Sequence, residues 1–146
     1  MATSAPRYTE RLWPSWWVWL IAACVAAGTS LIVAPVSAAA AVIVPVVVAI
    51  LFLWWLVSLA TRIEVTDGEV IVGKAHIDKR FVGGAEAFTG RDAVMARGIK
   101  LDARAYLHIR GWIPDVVKIT IDDDSDPTPY WLVSTRDPAG LTKALG

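Results

Sequence analysis

The sequence predicts an α+β membrane protein, in which an N-terminal transmembrane helical hairpin is followed by a small antiparallel β-barrel or sandwich with a C-terminal helix. Three observations indicate this class. Residues 12–61 contain no Asp, Glu, Lys, Arg or His. An uncharged stretch of about 50 residues suffices for two membrane crossings of about 20 residues each. Beyond Arg62, apolar residues alternate with polar ones, which is typical of half-buried strands. Asp137 and Pro138 then provide the N-cap and the first position of a final helix.

The uncharged stretch accommodates two spans. We place a cytoplasmic segment at residues 1–15 and a hairpin at residues 16–60, with helices at about residues 16–33 and 38–59. Tryptophan prefers the headgroup level, where its ring is half apolar and its N–H can meet water. The tryptophans that flank the two spans are therefore expected at the membrane interface; they are Trp13, Trp16, Trp17, Trp54 and Trp55.

Positive residues set the orientation of the hairpin. Arg7 and Arg11 precede the first span, Arg62 follows the second, and the connector between the spans is uncharged. The positive-inside rule therefore predicts that both termini are cytoplasmic. The competing interpretation is a signal peptide cleaved near Ser37, where small residues cluster. The first apolar run is long for a signal core, however, and the second run would still remain as an anchor.

Residues 61–146 are predicted to form a soluble β-rich domain of six or seven strands, mostly joined as antiparallel hairpins. Asp67-Gly68 is a strong signal for a tight hairpin turn, since both positions tolerate positive φ. The strand expected at residues 69–77 loses its alternation near Gly73, which predicts a bulge. Residues 91–97 are expected to form a helical turn. The other predicted strands lie at about residues 62–66, 81–88, 103–109, 116–121 and 130–134.

No residue pattern predicts a catalytic site, a metal site or a cofactor site. Asp122, Asp124 and Asp126 alternate as calcium ligands do, but the glycine and the distal glutamate of a calcium loop are missing, so a turn between strands explains them better. His76 and His108 occupy outward strand positions without a second ligand at metal-like spacing, which indicates surface histidines. Cys24 lies in the first span, and no nucleophile motif is present.

Two groups of residues are candidates for binding. Aromatic and arginine residues are enriched at interfaces, so the candidates for a protein partner are Tyr106, Arg110, Trp112 and Tyr130, whereas alternation assigns Trp131 to the core. Lys74, Lys79 and Arg80 form a loose basic group that could touch anionic headgroups or face solvent. Acidic and basic residues are nearly balanced from Arg62 onward, which argues against nucleic-acid binding.

Several strings resemble an actinobacterial family of small membrane proteins known only as a domain of unknown function. They are Arg11–Trp17, Arg62–Gly68, Leu101–Tyr106, Arg110–Trp112 and Asp126–Arg136. Two helices followed by a strand-rich domain with one terminal helix also resemble the bacterial membrane-anchored pleckstrin-homology proteins. These resemblances imply a multi-pass protein of the bacterial plasma membrane, and they imply no catalytic residue.

The expected function is that of a non-enzymatic, membrane-anchored interaction module. It would present the β-rich domain at the cytoplasmic face to an unknown membrane or cytoplasmic protein. The alternative is recognition of anionic lipid headgroups by the same domain. An enzyme or a transport accessory is a more remote hypothesis, because the spans contain no ionisable group that could relay ions.

Overall fold

The chain folds into two compact units, of which one is inserted into the other. Residues up to Leu12 and residues Thr61–Gly146 form a β-rich unit, and Trp13–Ala60 form a helical unit. The computed structural model describes residues 5–146, so the first four residues of the predicted N-terminal segment lie outside the described residues. The helical unit therefore interrupts the β-rich unit close to its N-terminal end.

The helical unit is an antiparallel pair. Helix α1 spans Trp16–Val33 and α2 spans Ala40–Ser58, close to the bounds predicted from sequence. Near the connector, the Ser30 hydroxyl donates a hydrogen bond to the carbonyl oxygen of Ala41 at 2.7 Å. Pro45 lies inside α2 without ending it. At the other end of the pair, a cavity of about 230 Å³ lies between the helices; it is lined by Trp19, Ala22, Ala23, Ala49, Leu53 and Leu56.

Both helices are long and apolar enough to cross a membrane. Their mean hydropathy is 1.9 for α1 and 2.8 for α2, and only 6% of each 18-residue window is buried inside the structure. A core helix of a soluble protein would instead be mostly buried. The structure thus contains two candidate membrane-spanning helices.

The first sheet of the β-rich unit is an antiparallel meander of four strands. In order they are β1 (Tyr8–Leu12), β2 (Thr61–Val65), β3 (Glu69–Val72) and β4 (Ala75–Asp78). Strand β1 was not expected, since residues 8–12 were predicted only as part of the cytoplasmic N-terminal segment. It pairs with β2 along its whole length, and Leu12 lies opposite Thr61. The two strands on either side of the helical unit are therefore direct neighbours.

The bulge predicted near Gly73 is wrong, because this position is a turn that separates β3 from β4. Gly73 has a φ of +62°, a left-handed conformation that glycine adopts without a Cβ penalty. A Cβ at this position would also lie 3.0 Å from the side-chain methyl carbon of Thr61. A break in alternation is common to a bulge and a tight turn, so the sequence pattern did not distinguish them.

The second sheet has the order β5-β7-β8-β6. Its strands are β5 (Val82–Phe88), β6 (Tyr106–His108), β7 (Val116–Ile121) and β8 (Tyr130–Ser134). Strand β6 is shorter than predicted and runs parallel to β8, whereas the other pairs are antiparallel. Within residues 5–146 neither sheet closes on itself. The observed architecture is therefore two open sheets rather than a closed barrel.

Two apolar clusters hold the β-rich unit together. The main core contains residues of both sheets and of α4 (Pro138–Leu145), including Ile63, Trp131 and Leu141. The predicted core position of Trp131 is confirmed. The opposite face of the second sheet packs against α3 (Gly90–Arg97), whose Ala93 and Ala96 are buried and small enough for close packing.

The start of α4 follows the sequence prediction. The Asp137 carboxylate accepts a hydrogen bond from the backbone N–H of Gly140 at 2.9 Å, and Pro138 occupies the first helical position. This arrangement satisfies one of the backbone donors left open at a helix start. Leu141 and Leu145 are buried, so the predicted apolar face of the helix is confirmed.

Candidate functional site

The end of the first sheet from which the chain leaves for the helices carries a group of basic residues. We call this end the junction edge and define it by Leu12, Thr61 and the Gly73–Lys74 turn. Arg11 lies directly opposite Arg62 on the neighbouring strand. The backbone N–H of Gly73 donates to the carbonyl oxygen of Arg62 at 2.9 Å. The next residue in the chain, Lys74, therefore lies close to Arg62. The junction edge thus brings together basic residues from three separate parts of the chain.

Arg11 and Arg62 point away from the main core. Their neighbours Leu12, Thr61 and Ile63 are buried, and successive side chains of a strand point to opposite faces. Like charges directly opposite each other destabilise a sheet. Arg62 pairs with Glu64 at 3.0 Å, and 61% of the Arg62 side chain remains exposed. Arg62 therefore remains accessible to solvent although it is paired with Glu64.

Arg110 links the second sheet to the junction edge. Its Nη2 donates to the Thr61 hydroxyl at 2.6 Å, and its backbone N–H donates to the Ser134 hydroxyl at 2.9 Å. Burial lowers the pKa of Arg110. Trp112, two residues further on, is half-buried against the main core. The turn that contains Arg110 and Trp112 is thus attached to the start of β2.

The structure does not bring the four residues predicted for a protein partner together on one surface. Tyr106 is 36% exposed, and its ring lies 5.3 Å from that of Trp131. Tyr130 is only 8% exposed, and its hydroxyl accepts a hydrogen bond from the backbone N–H of Asp102 at 2.8 Å. Tyr130 therefore belongs to the cluster under α3 and offers little surface to a partner.

The three basic residues predicted for lipid contact are also separated. Lys74 lies at the junction edge, whereas Lys79 and Arg80 follow the other end of β4, about 15 Å away along an extended chain. The Lys79 ammonium donates to the carbonyl oxygen of Ala144 at 2.9 Å. Arg80 pairs with Asp78 at 3.3 Å and lies over the Phe81 ring. Sequence proximity therefore grouped residues that lie at opposite ends of a strand.

The five tryptophans predicted at the membrane interface lie at one end of the helical unit. Three of them precede or begin α1, and two lie near the end of α2; because the helices are antiparallel, these positions coincide. Their exposed fractions are 41% for Trp13, 76% for Trp16, 43% for Trp17, 72% for Trp54 and 49% for Trp55. The end formed by the connector has no such tryptophans.

The aspartate run forms the loop between β7 and β8. The Asp123 carboxylate accepts hydrogen bonds from the backbone N–H of Ser125 at 2.9 Å and from its hydroxyl at 2.6 Å, and these bonds lower the pKa of Asp123. Asp126 accepts a bond from the backbone N–H of Thr128 at 2.9 Å. Residues 5–146 contain no group of three His, Cys, Asp or Glu side chains arranged to hold a metal ion.

His108 is not the surface histidine that its strand position predicted, whereas His76 is exposed. The Nε2 of His108 is buried and has no hydrogen-bond partner within residues 5–146. Its Cε1 packs against the Gly73 turn, where an added Cβ would lie 3.4 Å away. Burial lowers the pKa of His108 to about 4, and the charge of Arg110 contributes further.

We expect His108 to make the β-rich unit less stable in mild acid. An unfolded histidine takes up a proton near pH 6.5, whereas folded His108 does so only near pH 4. The unfolded state therefore binds more protons between these values, and stability falls as the pH drops from 6.5 to 4. Since His108 is only half-buried, the loss is about 1 kcal/mol after screening by solvent.

Thermal unfolding of the full-length protein in mild detergent, compared at pH 7.5 and pH 5, measures this effect. His108→Gln should reduce the difference in Tm between the two pH values, and His76→Gln should leave it unchanged. An equal pH dependence in His108→Gln and the unmodified protein would show that other groups carry the acid sensitivity.

A second polar cluster ties β1 to the start of α4. We call it the Glu10 clasp and define it by Tyr8, Glu10, Thr135 and Arg136. Oε2 of Glu10 accepts bonds from the Tyr8 hydroxyl at 2.8 Å and from the Thr135 hydroxyl at 2.5 Å. Its Oε1 accepts a bond from the backbone N–H of Arg136 at 2.8 Å. Burial holds the pKa of Tyr8 well above its usual range, so Tyr8 stays a neutral donor.

Together these features define an α+β protein in which a pair of candidate membrane-spanning helices is inserted between two paired strands. The chain belongs to the family described as "Protein of unknown function (DUF3093)", whose sequence model matches residues 7–145. The match includes β1 as well as both helices, so the two units are parts of one family domain. Comparisons with curated proteins and with solved structures found no match.

Proposed function

We propose that the protein is a non-enzymatic interaction module of the bacterial plasma membrane, with two membrane crossings and both termini in the cytoplasm. The pairing of β1 with β2 is the observation that carries this proposal. Strands of one sheet lie on one side of a bilayer, so both ends of the helical unit return to that side. Two crossings satisfy this condition, and the basic residues of the junction edge favour the cytoplasm as that side.

The lengths of the connections support a role close to the membrane surface. Only Leu59 and Ala60 separate α2 from β2, and only Trp13–Ser15 separate β1 from α1. Each residue of extended chain spans at most about 3.5 Å, so a connection of two or three residues reaches at most about 10 Å along the chain. The two sheets and α4, which share one core, are consistent with the pleckstrin-homology-like arrangement that we propose for this unit.

A protein partner is supported by exposed apolar side chains around α3. Val94 is 60% exposed, Ile99 is 86% exposed and Leu107 is 44% exposed. Leu107 lies opposite Leu132, which belongs to the cluster that α3 covers. Leu107 is also part of β6, the last strand in the order of the second sheet. We propose that this layer contacts the partner.

Site-specific photo-cross-linking in the native membrane tests the proposed partner surface. A photoreactive residue in place of Leu107 or Ile99 should yield one discrete cross-linked protein. The same residue in place of Lys143, which is exposed on α4, is the matched control and should not yield it. Identical cross-linking from all three positions, or none from Leu107 and Ile99, would contradict the proposed surface.

Cysteine labelling in the same cells tests the orientation. With Cys24→Ala as background, Ser37→Cys should react with a membrane-impermeant maleimide in intact spheroplasts, and Ser125→Cys should react only after lysis. Labelling of Ser125→Cys in intact spheroplasts would overturn the cytoplasmic placement of the β-rich unit.

A further inference from the structure

We propose that the junction edge binds the phosphate headgroups of anionic phospholipids, with Arg11, Arg62 and Lys74 as the contacting residues. This inference rests on the membrane location in the proposed function, but it concerns a surface different from the proposed partner layer. It also assigns lipid contact to residues other than the basic group Lys74, Lys79 and Arg80 expected from sequence.

The first step is geometric. Arg11 and Arg62 face each other on β1 and β2, and residues opposite each other in an antiparallel pair have Cα atoms about 5 Å apart. Lys74 follows Gly73, whose N–H bonds to the backbone of Arg62. Three flexible cationic side chains therefore start from a single sheet end and can converge on one phosphate group.

The second step is electrostatic. Glu64 is the acidic partner that Arg62 has at this edge, whereas Glu10 turns to the other face of the sheet and joins the Glu10 clasp. Two arginines placed opposite each other repel. An anion bound between them would attract both side chains and offset this repulsion. Arginine also suits phosphate because its planar guanidinium can donate two parallel hydrogen bonds.

The third step is position along the chain. Arg11 precedes the first residue of α1 by five positions, and Arg62 follows the last residue of α2 by four. Residues this close to the ends of membrane spans lie at headgroup level, where anionic lipids attract basic side chains. The exposed tryptophans that begin α1 and end α2 prefer the same level. This position favours a lipid headgroup over a soluble phosphate compound.

Native mass spectrometry of the full-length protein, extracted in mild detergent with defined lipids, tests the site. The unmodified protein should retain phosphatidylglycerol or cardiolipin in preference to phosphatidylcholine. Arg11→Gln/Arg62→Gln/Lys74→Gln should reduce the retained anionic lipid at least about tenfold, because each basic residue near the headgroups contributes to binding. Retention of phosphatidylcholine should not change.

Lys79→Gln/Arg80→Gln/Lys143→Gln is the matched control, since it removes the same charge away from the junction edge. It should retain anionic lipid like the unmodified protein, and an equal loss in both variants would overturn the site. Lys74→Gln alone changes an exposed turn residue and is expected to give a smaller, measurable loss even if the triple variant folds poorly.

Two further measurements distinguish a lipid from a soluble phosphate compound, and failure of the headgroup site from failure of the proposed membrane location. Competition by low-millimolar inorganic phosphate would point to a soluble ligand and overturn the lipid assignment. Release of the unmodified protein from native membranes by alkaline carbonate would overturn the proposed membrane location itself. Unchanged membrane retention together with unselective lipid binding would overturn only the headgroup site.

Discussion

Residues 61–146 expressed alone are expected not to fold stably, whereas a chain in which Asn-Gly replaces Trp13–Ala60 is expected to fold as a soluble β-rich protein. The isolated segment lacks β1, which covers the edge of β2 and contributes Leu12, a fully buried core residue. Burial of one such side chain stabilises by about 2–3 kcal/mol. Loss of Tyr8 and of the Glu10 clasp adds to this amount, and the total approaches the 5–15 kcal/mol that typically stabilises a domain.

The Asn-Gly replacement is short enough because of the strand register. Leu12 and Thr61 lie opposite each other at the end of the β1–β2 ladder, so two residues can join them as a hairpin. Asn-Gly favours the tight turn whose twist matches that of paired strands. The replacement also removes the apolar helical unit, so the resulting chain should not need detergent.

Circular dichroism, thermal unfolding and size-exclusion chromatography would compare the two chains. Leu12→Ala in the loop-closed chain is a useful intermediate, because it keeps β1 but leaves a cavity, at an expected cost of about 2–5 kcal/mol. A cooperative transition of residues 61–146 at the same Tm as the loop-closed chain would show that β1 is dispensable for the fold.

The same dependence on β1 bears on the signal-peptide interpretation. Cleavage near Ser37 would remove β1 together with α1. Strand β2 would then be an edge strand of the first sheet, without its neighbour. The β-rich part of the mature product would then be the segment that we expect to be unstable. The buried side chain of Leu12 and the hydrogen bonds of Glu10 therefore favour retention of the N-terminal residues.

Elements with local signals could be predicted from the sequence. The uncharged block predicted α1 and α2, since two continuous apolar runs of about 20 residues favour helices. Alternation of apolar and polar residues predicted β7, and the adjacent residues Asp137 and Pro138 predicted the start of α4. In each case the residues that determine the element lie within the element, so no knowledge of the tertiary structure was needed.

Strand β1 lacked such a signal. Its partner lies beyond the whole helical unit, and its inward positions are Tyr8, Glu10 and Leu12, of which the central one is charged. An inward glutamate contradicts the apolar alternation that indicates a strand. The donors of Thr135 and Arg136, more than a hundred residues later in the chain, account for it together with the hydroxyl of Tyr8 on the same strand.

The structure separates residues that the sequence grouped, and the reason is related. Lys74 and Lys79 are close in sequence but lie at opposite ends of β4, whereas Arg11 and Arg62 are distant in sequence but face each other. The outward position of His108 did not predict its contact with the Gly73 turn, because that turn belongs to the other sheet. Contacts between sheets are non-local and leave no periodic pattern.

Glu10→Ala is expected to destabilise the β-rich unit by about 2–4 kcal/mol. Glu10 accepts three hydrogen bonds, and its removal leaves the fully buried Thr135 hydroxyl without its carboxylate acceptor. Hydrogen bonds to charged groups contribute about 1.5–3 kcal/mol, and a buried donor left without an acceptor costs about 1–3 kcal/mol. For a domain of this size, such a loss lowers Tm by about 10 °C or more.

A comparison of variants separates the clasp from the general effect of a lost charge. Glu86→Ala removes an exposed glutamate from β5 and should change the free energy of unfolding by less than about 0.5 kcal/mol. Glu10→Gln keeps the shape of the side chain but only one of its two acceptor oxygens, so its cost should be intermediate. Urea titration of the loop-closed chain would measure all three.

A double-mutant cycle with Thr135→Val tests whether the Glu10 clasp acts as one unit. If the hydroxyl of Thr135 serves mainly to bind Glu10, the loss in free energy of unfolding in the double variant should be smaller than the sum of the two single losses. The expected difference is about 1 kcal/mol or more. Strictly additive costs would mean that Glu10 and Thr135 stabilise the fold separately. In that case the cluster would be a set of independent contacts, and β1 would be held chiefly by its ladder with β2 and by the burial of Leu12.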